Sequence, residues 1–97
     1  MSDPLTLETF APHVGETFRM IVNDEWEIHM RLSSATPLAG ARGGNRAPFS
    51  LIFHAPPLAM VEQQLFGVEH ETMAPFVLFL VPIGPDDAGM RYEAVFT

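Results

Sequence analysis

Cysteine and lysine are both absent from the 97-residue sequence. Without cysteine, the chain itself forms no disulfide and holds neither a thiolate zinc site nor a thiol nucleophile. Without lysine, the five basic residues are all arginines, and they stand against twelve acidic residues, for a formal net charge of −7. Because this charge repels phosphate backbones, we expect no nucleic-acid partner.

Long apolar segments are also missing. The most apolar stretch, residues 76–81, lies between Pro75 and Pro82 and is much shorter than the roughly 20 residues of a membrane-spanning helix. We therefore expect no membrane insertion. The first residues contain no basic segment followed by an apolar core, which is the pattern of a secretory signal. These features favour a cytoplasmic location, with association with an exported assembly as an alternative.

Apolar residues make up 47% of the chain, which is enough for an ordered core. A chain of this length has room for one small domain. The sequence therefore predicts a single β-rich domain over residues 1–97.

The clearest alternation of apolar and polar residues lies in residues 25–32. The apolar positions there are Trp26, Ile28, Met30 and Leu32. Because successive side chains of a strand point to opposite faces, we expect these four in the core and their neighbours in water.

The same kind of pattern predicts a β-rich chain with short links. Strands are predicted at residues 16–21, 25–32, 49–54, 65–71, 76–81 and 90–96. One helical turn at residues 5–10, capped by Thr6, precedes them, and residues 33–48 form a long loop. The predicted fold class is all-β, or mainly β with one short N-terminal helical turn, built as an antiparallel sandwich or small barrel of about six strands.

The strand at residues 76–81 has no polar face. Alternation places Phe76, Leu78 and Leu80 on one side. The other side carries Val77, Phe79 and Val81. Exposing such side chains forgoes about 1.5–3 kcal/mol each, so we expect the second side to be covered by the N-terminal helical turn, a second sheet or another protein chain.

The histidines give no metal signature. His13, His29, His54 and His70 lack the i, i+2 or i, i+4 spacing that brings two imidazoles together. Alternation places His70 towards the core, with a carboxylate, Thr72 or a backbone group as its partner. We therefore predict no metal ligand, cofactor or catalytic residue, and no enzyme; a metal-dependent enzyme using His54, His70 and a carboxylate is the least favoured alternative.

Serine chemistry is unsupported as well. Ser33, Ser34 and Ser50 lack the Gly-x-Ser-x-Gly context of a nucleophile elbow. In the loop at residues 33–48, Arg42 and Arg46 lie among glycines whose backbone amides suit an anion. These two arginines are candidate contacts for a partner or an anion.

Five motifs extend over nearly the whole chain. They are a Leu-x-x-Phe start at residues 7–10, Gly-x-x-Phe at 15–18, the phenylalanine-rich strand at 49–53, Phe-Leu-Val-Pro at 79–82 and Tyr-Glu-Ala-Val-Phe at 92–96. In these motifs the chain resembles a small uncharacterised bacterial all-β family, a domain of unknown function. The resemblance implies an association with phage tail-collar-like gene clusters, and with it an assembly or appendage role. The glycine turn usual in that family before the Phe-Leu-Val-Pro strand is replaced here by Met73-Ala74-Pro75.

The favoured hypothesis is a non-enzymatic interaction or assembly module, in which the chain contacts a copy of itself or another protein. The contact uses either the second face of residues 76–81 or an edge strand at residues 92–96. Its candidate interface residues are Val77, Phe79, Val81, Tyr92 and Phe96. The alternative is a small-ligand-binding β-barrel in which Arg42 or Arg46 contacts the ligand.

Overall fold

A computed structural model describes residues 5–38, 48–57 and 61–96. In this part of the chain, six strands follow a short helix and one turn of 3-10 helix. The elements are α1 (Leu7–Phe10), the 3-10 helix (Ala11–His13), β1 (Thr17–Asn23), β2 (Trp26–Pro37), β3 (Phe49–Ala55), β4 (Gln64–Glu69), β5 (Phe76–Asp86) and β6 (Gly89–Phe96). No helix among the described residues is long and apolar enough to cross a membrane.

The six strands form one closed barrel in the order β1-β2-β3-β6-β5-β4, and β4 pairs back with β1. All neighbours are antiparallel. The predicted mainly-β fold is confirmed, and the choice between sandwich and barrel is resolved as a barrel. Since β6 is paired on both sides, the prediction that residues 92–96 form a free edge is wrong.

Strand β2 is longer than predicted. A β-bulge between Leu32 and Ser34 shifts the register by one residue, and the strand then continues beside β3 as far as the pair Pro37–Phe49. The first part of the predicted loop 33–48 is therefore strand, because the backbone of Ser34 to Pro37 still finds ladder partners although its side chains no longer alternate. The candidate residues Arg42 and Arg46 lie outside the described residues.

Inward-facing side chains of all six strands fill the barrel. Ile28, Met30 and Leu32 of β2 are buried as predicted. The inward rows are Phe49, Leu51 and Phe53 of β3, Leu78 and Leu80 of β5, and Tyr92, Ala94 and Phe96 of β6, all buried, with Phe76 partly buried against them. Trp26, the fourth residue predicted for the β2 row, is exposed. Trp26 pairs with Asn23 next to the β1–β2 turn, at the tip of the hairpin. The alternation of the strand still directs its indole inward, but at this end of the hairpin the buried cluster does not cover it.

The N-terminal helix covers one end of the barrel. Thr6 caps it as predicted, since its side chain accepts a hydrogen bond from the Thr9 backbone N–H. The ring of Phe10 is fully buried and packs against Phe49, Phe76 and Phe96, with ring centroids 5.6–6.1 Å away. Those three rings lie where β3 and β5 begin and β6 ends, so the helix closes this end.

Candidate functional site

The outer face of β4, β5 and β6 carries exposed apolar side chains, which we call the outer patch. Its members are Leu65, Val77, Phe79 and Val95, with 67%, 58%, 49% and 54% of their surface exposed. Single exposed apolar residues are ordinary, but contiguous ones mark contact surfaces. The patch therefore is the first candidate for a functional surface.

Strand register brings the patch together. Leu65 pairs directly with Phe79. On the other side of β5, Val81 pairs with Glu93, and the next outward positions of the two strands are Phe79 and Val95. Because cross-strand neighbours on one face lie about 5 Å apart, Leu65 and Phe79 are direct neighbours, and Val95 continues the same outer face two residues beyond the last β5–β6 pair.

A shallow hollow lies beside the outer patch. Gly67 pairs with Val77 on one side and with Ile21 on the other, and it has no side chain to fill the space between them. The hollow measures about 280 Å³ and is lined by Ile21, Gly67, Val68, Glu69, Pro75, Phe76 and Val77. A half-exposed phenyl ring and a mostly apolar hollow thus lie on the same face.

The predicted interface residues divide into two groups. Val77 and Phe79 are in the outer patch, and Val81 is half-buried. Tyr92 and Phe96 point into the core, with almost no exposed surface, so they are not available for contact and the prediction for them is wrong. The expectation that another layer of the same chain covers Val77 and Phe79 is also wrong, since the barrel wall is a single layer there.

A second candidate is a cluster of His13, Glu16 and His70, which we call the His70 cluster. The 3-10 helix positions His13, and the chain then turns at Gly15 so that Glu16 lies beside it. Glu16 Oε1 is 2.8 Å from His13 Nδ1 and 2.7 Å from His70 Nε2. The side chain of His70 is only 5% exposed, and its ring packs on Phe18 with centroids 4.6 Å apart. One carboxylate oxygen is therefore shared by two imidazoles.

The hydrogen bonds of His70 define its tautomer. Its Nδ1 accepts a hydrogen bond from the Thr72 backbone N–H at 3.1 Å, so in the neutral ring the proton is on Nε2 and is donated to Glu16. Hydrogen bonds from His13 and from His70, in that order of size, lower the pKa of the Glu16 carboxyl. The predicted inward orientation of His70 is confirmed, as is the kind of partner.

A third cluster contains Ser33, His54 and Asp86. The Ser33 hydroxyl is hydrogen-bonded to His54 Nδ1, and His54 Nε2 is 2.9 Å from Asp86 Oδ2. Hydrogen bonds from His54 and from the Ala88 backbone lower the pKa of Asp86. The order hydroxyl, imidazole, carboxylate is that of a serine nucleophile with its base, but the two ring nitrogens have exchanged roles, since there the hydroxyl bonds Nε2 and the carboxylate bonds Nδ1. Sequence spacing missed it, because the three residues come from β2, β3 and β5.

The proposed combination of His54, His70 and a carboxylate is not formed. His54 binds Ser33 and Asp86, while His70 binds Glu16 and Thr72. The two histidines thus belong to separate clusters with separate carboxylates. His54 lies on the outer face of β3 and His70 follows the inward residues of β4, so a shared metal has no place between them.

Comparison with known families identifies the chain. A family model described as a domain of unknown function, DUF6916, matches residues 5–96. The chain belongs to this family. No curated protein and no solved structure matches it.

The DUF6916 match extends from the residue before the helix cap to the end of β6. It therefore includes every element of the barrel, the outer patch and both histidine clusters. Because the family description assigns no activity, the function of this DUF6916 domain has to be argued from its surface.

Proposed function

We propose that this DUF6916 domain is a non-enzymatic interaction module that docks through the outer patch, and that its partner is a second copy of the same chain. The observation that carries the proposal is the exposure of four apolar side chains on the outer face of β4, β5 and β6, two of which, Leu65 and Phe79, pair directly. A cytoplasmic accessory role in a phage-tail-like or appendage assembly is the setting that we infer for such a module.

The contact must be made by side chains. In the closed barrel each strand has a neighbouring strand on both sides, so no strand is a free edge for strand addition. Apolar side chains on the middle of a sheet face associate by burying area, and an aromatic ring that fills a recess contributes most of the energy.

The shape of the patch supports a second copy as the partner. In a two-fold dimer, the same surface on both copies must be self-complementary. Phe79 is a half-exposed ring, and the hollow at Gly67 is a mostly apolar recess on the same face. None of the four patch residues is charged, so two copies that each carry a formal charge of −7 meet without opposing like charges at the centre of the contact.

Sedimentation equilibrium and light scattering over a range of concentrations test this proposal. The wild-type protein is expected to be a dimer. Phe79→Ser removes the ring and is expected to raise the dimer Kd by about 30-fold or more, which corresponds to the roughly 2 kcal/mol of an interface hot spot. Gly67→Val fills the hollow and is expected to weaken the dimer as well.

Gly67→Val tests the hollow without destabilising the monomer. A Cβ at Gly67 meets only the Ile21 Cβ, at 4.0 Å, and valine suits a strand better than glycine, so Gly67→Val should fold at least as stably as wild type. Val14→Ser is the control, because it removes an equally exposed apolar side chain at the end of the 3-10 helix. A wild-type monomer at high concentration, or a dimer unaffected by Phe79→Ser, contradicts the proposal.

The absence of enzymatic activity is tested at Ser33. Three clefts among residues 5–38, 48–57 and 61–96 are lined by residues other than Ser33, and a substrate bound in any of them is not oriented against the Ser33 hydroxyl. We expect a fluorophosphonate probe to leave Ser33 unlabelled, as read by intact mass. A stoichiometric adduct on Ser33 that disappears in His54→Ala would show a working nucleophile and overturn this part of the proposal.

A further inference from the structure

We propose that the His70 cluster is a binding site for a zinc-type transition metal ion, with His13 Nδ1, Glu16 Oε1 and His70 Nε2 as its three protein ligands. The proposal is independent of the outer patch. It rests on the convergence of three ligand atoms of the right chemical type, all within 4.8 Å of one another, beside an open cleft.

The ligand atoms need little movement. In a tetrahedral zinc site with bonds of about 2.0–2.2 Å, neighbouring ligand atoms lie roughly 3.3–3.6 Å apart. The nitrogens of His70 and His13 are now 2.7 and 2.8 Å from Glu16 Oε1, so each of these contacts must widen by roughly 0.5–0.9 Å. The two nitrogens, which lie within 4.8 Å of each other, must come to the same separation. The side chains of His13 and Glu16 are partly exposed, and their rotation supplies this change.

A metal ion would replace the imidazole protons that His13 and His70 direct at the Glu16 carboxylate. In the metal-free cluster, an N–H group of each imidazole is directed at Glu16 Oε1. On binding, His70 must present the Nε2 lone pair and move its proton to Nδ1. Thr72 Oγ1 lies 3.3 Å from Nδ1 and can accept that proton's hydrogen bond. The Thr72 backbone N–H loses its acceptor, which water can replace because Thr72 is exposed.

The surroundings of the cluster hold two of the ligands in place. His70 is confined by the rings of Phe18 and His13, whose centroids are 4.6 and 4.7 Å from its own. Glu16 is fixed through its backbone, because its N–H donates to the His13 carbonyl and its carbonyl accepts from the Leu32 N–H. Ligands held by packing and hydrogen bonds lose less freedom when the ion binds.

The donor set selects the kind of ion. Two imidazoles and one carboxylate favour zinc, nickel or copper over magnesium and calcium, which prefer oxygen ligands. The cluster opens on a cleft of about 470 Å³ that Gly15, Thr17 and Arg19 also line. This open side leaves the fourth position of the ion to water, as in zinc sites that have three protein ligands.

Isothermal titration of the metal-free protein with ZnCl₂, and with MgCl₂ as the comparison ion, tests the site. We expect one zinc per chain and no magnesium binding. His13→Ala and Glu16→Gln each remove one ligand and are expected to raise the zinc Kd by at least tenfold. The matched control is His29→Ala, which removes another surface histidine of the same cleft, one that pairs with Glu27 and lies outside the cluster; its Kd should stay within about twofold of wild type.

The role of His70, the buried ligand, is tested in the wild-type protein through its tautomer. Long-range ¹⁵N–¹H spectra of the imidazoles should show the proton of His70 on Nε2 before zinc is added and on Nδ1 afterwards. The proposal is overturned if zinc does not bind, if the zinc Kd is unchanged in His13→Ala, or if zinc binding is lost in His29→Ala. It is also overturned if the tautomer of His70 does not respond to zinc. Phe79→Ser should bind zinc normally, so failure of the dimer and failure of the metal site give different results.

Discussion

Gly89→Ala is expected to lower the free energy of unfolding by at least about 4 kcal/mol, a size reserved for severe local conflicts. Gly89 has a φ of +136°, which strains any residue with a Cβ. A Cβ there would also lie 2.1 Å from the Ala55 carbonyl oxygen. That oxygen belongs to the end of β3, where Ala55 pairs with Met90 of β6, so it cannot retreat without opening the β3–β6 pairing.

Gly84, the second glycine of the β5–β6 hairpin, distinguishes the effect of backbone strain from that of the clash with the Ala55 oxygen. Gly84 also has a positive φ, of +96°, but a Cβ on it meets nothing within 4 Å. Gly84→Ala is therefore expected to lower the free energy of unfolding by about 1–3 kcal/mol, through backbone strain alone. Urea unfolding followed by tryptophan fluorescence and circular dichroism gives both values. If the two variants are equally stable, the contact with Ala55 does not determine the cost.

Most of the fold could be predicted from local pattern. Alternation correctly predicts that Ile28, Met30 and Leu32 of β2 are buried, because inward and outward positions of a strand alternate regardless of its partners. Closure of the barrel could not be predicted, since it depends on the pairing of β1 with β4, about fifty residues away in sequence. Trp26 shows the limit of alternation, which assigns a face and says nothing about what covers it.

The candidate sites were harder to predict because they depend on strand order. Leu65 and Val95 lie on the outward faces that alternation assigns to β4 and β6, but only the strand order puts these faces on either side of β5, with Leu65 paired to Phe79. His13 and Glu16 are three residues apart, a spacing that spans the turn at Gly15, and they meet His70 only because β1 pairs with β4. Tyr92 was assigned to the surface on the assumption of a free edge, which the closed barrel removes.

Phe10→Ala is expected to cost about 3–5 kcal/mol, the usual range for removing a fully buried phenylalanine. The ring is the contact between α1 and the barrel, and it touches the three rings that form this end of the core. Since Phe49 and Phe96 stack on each other with centroids 4.3 Å apart, they cannot collapse into the space without losing that contact. A cavity should therefore remain, and the thermal midpoint should fall steeply.

Phe79→Ala makes the same chemical change on the outside of the wall and is the matched control. Half of the Phe79 ring is already exposed, so its removal leaves no cavity and should cost the monomer no more than about 1 kcal/mol, as for surface substitutions. Unfolding of the wild type and of Phe79→Ala, measured at protein concentrations well below the wild-type dimer Kd, isolates this monomer term from association. If Phe10→Ala costs no more than Phe79→Ala, then α1 does not seal the barrel, and the helix must be regarded as an appendage to a core that is complete without it.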